Sequence, residues 1–307
     1  MRGKPFKFKR LVIGGLLLMA MAAVWVVFFY RPTPDLPPLP EPNGHDFIVK
    51  AGAAIRLEPS EIRAISIPPT NSWADLRHLV STNGEALRLV QEGLEHEARA
   101  PMWVYDEEDV SYMMGLMSIR SLVRVMAAKA AIERFEGHTN EAAVIAFDAA
   151  KLGVRATEGG PMIDFLVGTA AAQNGLDTLK LSIAGLTVHQ CRELQLKLDG
   201  LAAELDTPEE VVRAERAWIQ YNFGVKGTFV AMWENETLRP YEEFRTRMRK
   251  RYNDLNRVFI ELRILLAAQR FRLEKSLEPD SVETLVPDYL RSVPPDPETG
   301  KPMTLPK

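Results

Sequence analysis

Residues 127–153 read AAKAAIERFEGHTNEAAVIAFDAAKLG. Two helix-forming runs flank Gly137-His138, which reads as a tight turn. The first run closes a helix that reaches 136. Thr139 is placed to cap the second, which runs to about 155. An antiparallel helical hairpin follows, and the chain around it keeps the same helical periodicity with almost no alternating β pattern. The fold class this predicts is all-α. An N-terminal transmembrane helix and a proline-rich linker precede a helical-hairpin or bundle ectodomain over 45–275, and a proline-rich tail over 276–307 closes the chain.

The hairpin resembles one tetratricopeptide helix pair, with Gly137 at the turn and Ala142 and Ala149 as the small residues that let helices approach. The first helix lacks the Trp, Leu-Gly and Tyr positions of that family. No second copy follows at the period of about 34 residues. The resemblance therefore implies a single helix pair.

Toward the C-terminus, Gly159-Gly160-Pro161 punctuates the chain and Pro161 suits a first helical position. Ile163, Leu166, Val167, Ala170, Ala171 and Asn174 then form one face. Thr187 with Gln190, and Thr207 with Glu210, have the spacing of capping boxes. Leu194, Leu198, Leu201 and Leu205 step by four, three and four between them. Trp218, Tyr221, Phe223, Phe229 and Trp233 cluster where Gly224 and Gly227 interrupt the helix, as core residues at a bend or as the lining of a ligand site. The longest helix is expected over 240–275, with Phe244, Met248, Leu255, Phe259, Leu262, Leu266 and Leu273 inward. Its basic band, Arg245, Arg247, Arg249, Lys250 and Arg251, reads as a solvated face or as a contact for anionic headgroups or an acidic partner.

In the tail, Leu285, Val286, Tyr289, Leu290 and Val293 are too apolar for free chain. A short helical turn over 285–290 should dock on the long helix, with extended chain from about 294 onward. Leu285-Val286-Pro287, Val293-Pro294, Asp296-Pro297 and Gly300-Lys301-Pro302 resemble the C-terminal region of type II secretion pseudopilins, in which an aspartate helps hold calcium. Asp296 is the position that resemblance nominates. The N-terminus lacks the prepilin pattern, and the helical interior departs from a pseudopilin sheet.

Toward the N-terminus, Met113, Met114, Met117 and Met126 read as gap-filling core. The acidic run Asp106-Glu107-Glu108-Asp109 suits a helix N-terminus, and it lacks the alternating ligands and turn glycine of a calcium loop. Ser72 with Asp75 has capping-box spacing. Leu76, Val80, Asn83, Leu87, Val90 and Leu94 make a heptad-like seam, in which Asn83 fixes register or marks a bend. A shorter helix is expected over 46–57, with Phe47, Ala51, Ala54 and Ile55 on one face.

Prolines crowd residues 31–44, which predicts a semi-rigid spacer of roughly 40 Å if fully extended. Before it, residues 11–30, LVIGGLLLMAMAAVWVVFFY, hold no charge and are long enough to span a bilayer. Residues 1–10 are basic and free of acids, which predicts a cytoplasmic N-terminus and a periplasmic or extracytoplasmic domain. Ala20-Met21-Ala22 has the form of a signal-peptidase site. Because the apolar run continues to Tyr30, an uncleaved anchor is the reading.

Removing the basic N-terminus leaves 33 basic against 41 acidic residues, which argues against nucleic acid as a partner. One cysteine, Cys191, cannot form an internal disulfide or a thiolate cluster. No phosphate-loop, dinucleotide, nucleophile-elbow or zinc-helix motif is present, so no cofactor is expected. Glu92 precedes His96 by four, and His78 follows Asp75 by three. With acids such as Asp106 and Glu107, the first pair is the weak candidate for an acid/base or metal site. From anchor to tail the chain resembles single-pass, membrane-anchored exported bacterial helical proteins with no assigned activity. The functional expectation is an envelope interaction or scaffold protein with a protein partner. An envelope enzyme and an accessory part of a secretion or pilus-like system are the alternatives.

Overall fold

The computed structural model describes residues 15–16, 18–22, 24–25, 37–57, 73–104, 111–237 and 239–306, with the backbone alone over 225–242 and at 244. Nine helices order the described chain: α1 Gly44–Ala54, α2 Trp73–Thr82, α3 Gly84–Leu94, α4 Ser111–Phe135, α5 Thr139–Arg155, α6 Met162–Lys180, α7 Val188–Glu204, α8 Pro208–Thr237 and α9 Arg239–Lys275. Three-residue 3-10 turns lie at Ile183–Gly185 and Glu283–Leu285. Among the described residues there is no strand, and the fold is all-α. Nor is any described helix long and apolar enough to cross a membrane. The basic tail over 1–10, most of the anchor over 11–30 and the spacer up to 36 lie outside the described residues, as do Ser72 and the acidic run 106–109.

The hairpin of α5 and α6 sits at the centre. Ala149, Ala150, Leu152, Ala171, Ala172 and Leu176 have no exposed surface. Glycines set the spacing: a side chain at Gly153 would run into the backbone of Ala172, and one at Gly175 into the backbone of Ala150. With Gly168 against the Gly153 carbonyl, the two backbones therefore approach closely over about two turns. The core on one side of this hairpin joins α7, α9 and the start of α8. The core on the other side joins α1 to α4. Because α6 serves both, it is buried on most of its circumference, and the single face drawn from Ile163 to Asn174 covers only part of what packs.

Local signals place most helix ends. Thr187 and Gln190 bond reciprocally at the start of α7, and Thr207 and Glu210 do so before α8. Two expected ends move by one residue. Pro161 occupies the cap position before α6, and His138, not Thr139, occupies the cap before α5, without a side-chain bond. The seam over 76–94 breaks into α2 and α3 at Asn83. There the fully buried amide takes the backbone of Arg56 at 2.7 and 3.0 Å and the Leu79 carbonyl at 2.9 Å. Asn83 thus both marks the bend and ties it to the end of α1.

Two expectations of burial and one of the tail's course are corrected. Of the four methionines read as core, only Met126 is buried, while Met113, Met114 and Met117 face outward. They lie on the side of α4 opposite Tyr112, Leu116 and Ile119, which is the covered side of those turns. Leu273 is likewise exposed, although its neighbours Phe271 and Glu274 both meet Tyr289 of the tail. In the tail, Val282, Leu285, Tyr289 and Leu290 pack on Ile264, Ala267 and Ala268 of α9, as expected. Beyond 294, however, the chain is not simply extended. It turns around Asp296, whose Oδ1 accepts from the Glu298 and Thr299 amides, and returns so that Pro295 bridges Pro302 and Met303 and Leu305 reach the same cluster.

Candidate functional site

The linker over 95–104, between α3 and α4, is held by polar side chains rather than by a helix. Asn43, buried at the cap of α1, accepts from the His45 and Arg99 amides at 3.1 and 3.0 Å and donates to the Arg99 carbonyl at 2.9 Å. Gly44 makes the close approach possible, since a side chain there would strike the Gly93 carbonyl. Farther on, the Ala100 amide donates to the Glu158 carbonyl at 3.0 Å, and Asn222 of α8 donates to the Trp103 carbonyl at 3.2 Å. Pinned in this way, the linker lines two cavities that share Pro101.

The first cavity, of about 420 Å³, is apolar. Ile48, Val104, Leu116 and Ile119 line it, with the rings of Trp103 and Tyr112. Those two rings stack at 4.4 Å, and Trp218 tilts against Trp103 at 4.8 Å. Trp218 is thus a half-buried wall for the linker and not part of the central core, and Phe223 beside it is exposed. Phe229 and Trp233 have side chains outside the described residues. Gly224, at φ 62°, makes the kink expected in α8.

The second cavity, of about 470 Å³, carries charged side chains within a largely apolar lining. Glu158, Asp206 and Glu210 line it with Arg99 and Arg213, and Pro37 to Leu39 lie along its edge. The described end of the proline segment therefore rests on the domain, where Arg99 donates to the Pro38 carbonyl at 3.2 Å. Burial, and then the negative charges of Asp206 and Glu204, push the Glu158 carboxyl up to about 7. Burial raises Asp206 as well, against the Gly159 amide that donates to it at 2.8 Å.

Between the cavities lies Asp164, in the first turn of α6 and without exposed surface. Tyr112 donates a hydrogen bond to its Oδ2, and its Oδ1 has no partner. Gly160 leaves room for this carboxyl, because a side chain there would overlap it. Burial first, and then Glu215, lifts Asp164 to about 7 against the Tyr112 bond. Glu215 in turn accepts from the Met162 amide at 2.9 Å and is itself raised by burial. The arrangement can hold protons near neutral pH and can accept a donor group at Asp164.

The residues nominated from sequence lie elsewhere. Glu92 binds Arg88 at 2.7 Å, and α3 ends at Leu94, before His96. His96 stacks near Phe47 at 5.5 Å, and no hydrogen bond joins it to Glu92. Asp106 and Glu107 lie outside the described residues. Asp296 is ion-paired with Arg257 at 3.0 Å and is held down to about 2, first by the Thr299 amide. Among the described residues, Glu133, Glu136 and His138 could bring ligand atoms within 4.8 Å of one another on the surface, where Glu133 already meets His138 and Glu136 meets Arg77, each at 2.9 Å. The buried Cys191 thiol is pushed up to about 11 by burial, so it is inert. The sequence reading missed Glu158, Asp164 and Asp206, whose perturbation depends on neighbours distant in the chain. For His45 a local signal existed in the Asn43-Gly44 helix start.

Comparison with protein-family models, curated proteins and solved structures finds no match to this chain.

Proposed function

We propose that this chain is a single-pass, membrane-anchored interaction protein of the cell envelope that docks a protein partner on the outer face of α4. The observation that supports this is the exposure of Met113, Met114 and Met117 on one side of α4 in its first two turns. Methionines are flexible and polarisable, and an exposed set of them suits a surface that repacks around an apolar partner segment. Leu16, Leu18, Met19, Met21, Val24 and Trp25 are helical and each is more than half exposed, in keeping with an anchor whose apolar surroundings are lipid.

A photo-crosslinking amino acid at position 114, in cells, tests the docking face. A discrete adduct is expected there, absent from the same probe at exposed Val144 and lost when Met113 and Met117 are both changed to Glu. Equal labelling at 114 and 144 would remove the docking face from the proposal.

A second reading, an envelope enzyme with an acid/base site, draws on one observation: Glu158 is lifted to about 7 beside Asp206 in an open cleft. Metal analysis of purified protein addresses its metal-dependent form, since stoichiometric zinc that is lost on changing Glu158 to Gln would favour catalysis over docking.

A further inference from the structure

We infer that the apolar cavity behind Trp103 is a binding site for an uncharged, largely hydrocarbon small molecule that carries a single hydrogen-bonding group, received by the imidazole of His45. His45 is only 7% exposed, lines the cavity, and has no hydrogen-bond partner at Nδ1. A buried imidazole nitrogen left unpaired costs free energy that a ligand's polar group can recover. The rest of the described lining is Ile48, Val49, Pro101, Val104, Gly115, Leu116 and Ile119 with two aromatic rings and Ser111, and among the described residues no Asp, Glu, Lys or Arg takes part. A charged ligand would lose its hydration there without a counter-charge. The volume of about 420 Å³ lies within the range of small-molecule sites.

A second observation is independent of the first. Gly115 lies inside α4, where glycine costs about 1 kcal/mol relative to alanine. A side chain at Gly115 would meet nothing within 4 Å, and the residue lines the same cavity. No close packing requires glycine there; what its small size preserves is the cavity. His45 is held neutral near pH 7, since burial lowers its pKa more than Asp46 raises it. Its ring then offers one donor and one acceptor, which suits a hydroxyl or amide better than a carboxylate. The inference stands whether or not a protein docks on Met113, Met114 and Met117, because those side chains project from the side of α4 away from the cavity lining.

The test uses the full chain and two probes, thymol and p-cymene, which differ by one hydroxyl. Titration calorimetry should show saturable, one-to-one binding of thymol, tighter than p-cymene by about 3- to 10-fold, the net worth of one hydrogen bond. His45→Phe should abolish that preference while p-cymene still binds. Gly115→Leu fills the cavity from a good helix-forming residue and should abolish saturable binding of both probes without lowering the melting temperature. Uptake of thymol by the natural chain that is non-saturable, or equal to that of Gly115→Leu, would overturn the site. A thymol preference that survives His45→Phe would overturn the role of the imidazole. A Gly115→Leu chain that stays folded and binds both probes normally would place them elsewhere and overturn the assignment to this cavity.

Discussion

Asp164 has no exposed surface, one phenol partner and a neighbouring Glu215, and all of its surroundings except Tyr112 favour the neutral acid. Its folded pKa of about 7 lies above the ordinary 3.8, so the folded state binds the proton more tightly than the unfolded chain does. The linked stability is therefore fully present below pH 3.8 and is lost as pH rises through about 7. The size of that loss is on the order of 4 kcal/mol. Asp164→Asn removes the titration and keeps the shape. Relative to the natural chain it should gain stability steadily between pH 4 and 8, as measured by urea midpoints across that range. A difference independent of pH would show that Asp164 is solvated and not buried as described. Residues of this kind were hidden in the sequence. Thr187 and Gln190 lie three apart and announce their bond, whereas Asp164 takes its environment from Tyr112, 52 positions away, and from Gly160 and Glu215. His96 shows the reverse failure: its spacing from Glu92 implied a shared helix face, and the helix ends before it.

Helices were legible as elements because their period and caps are local. What they bury was legible only where one face meets one neighbour. The leucines of α7 pack as their spacing implies, since Leu194, Leu198, Leu201 and Leu205 are all buried. The methionines of α4 do not, because whether a side of α4 is covered depends on how α1, α5 and α6 cross it. The tail joins both cases. Its apolar residues predicted docking, but the return around Asp296 depends on Arg257, 39 residues earlier. Truncation after Lys275 removes Val282, Leu285, Tyr289 and Leu290 from α9, each contributing about 1.5–3 kcal/mol when fully buried. Truncation after Ser292 removes only the partly buried Val293, Met303 and Leu305 and the Arg257 contacts. Melting temperatures should therefore fall in two steps, a small one at 292 and a much larger one at 275. A chain ending at 292 that melts with the full-length protein would show that the Asp296 turn adds no stability.

At the scale of the molecule, the two cores differ in how they are closed. The α5–α6 hairpin is closed by backbone contact through Gly153, Gly168 and Gly175, whereas the α1 and α4 edge is held by Asn43, Asn222 and a non-helical linker. The cavities lie at that edge. For the proposed anchor, the flanking charges decide which side of a membrane the domain would occupy. Residues 1–10 carry Arg2, Lys4, Lys7, Lys9 and Arg10 with no acid, and residues 11–30 carry no charge. After the span only Arg31 is basic until Lys50, while Asp35, Glu41 and Asp46 are acidic. Basic flanks stay in the cytoplasm, so the domain is expected on the far side. Alkaline phosphatase joined after Lys307 should then be active, and a reporter that works only in the cytoplasm should be silent at the same position. Alkaline extraction should leave the protein in the membrane at its full mass, because the apolar run outlasts Ala22 by eight residues. Release of a chain shortened by 22 residues would identify a cleaved leader, and an inactive phosphatase with a working cytoplasmic reporter would reverse the orientation.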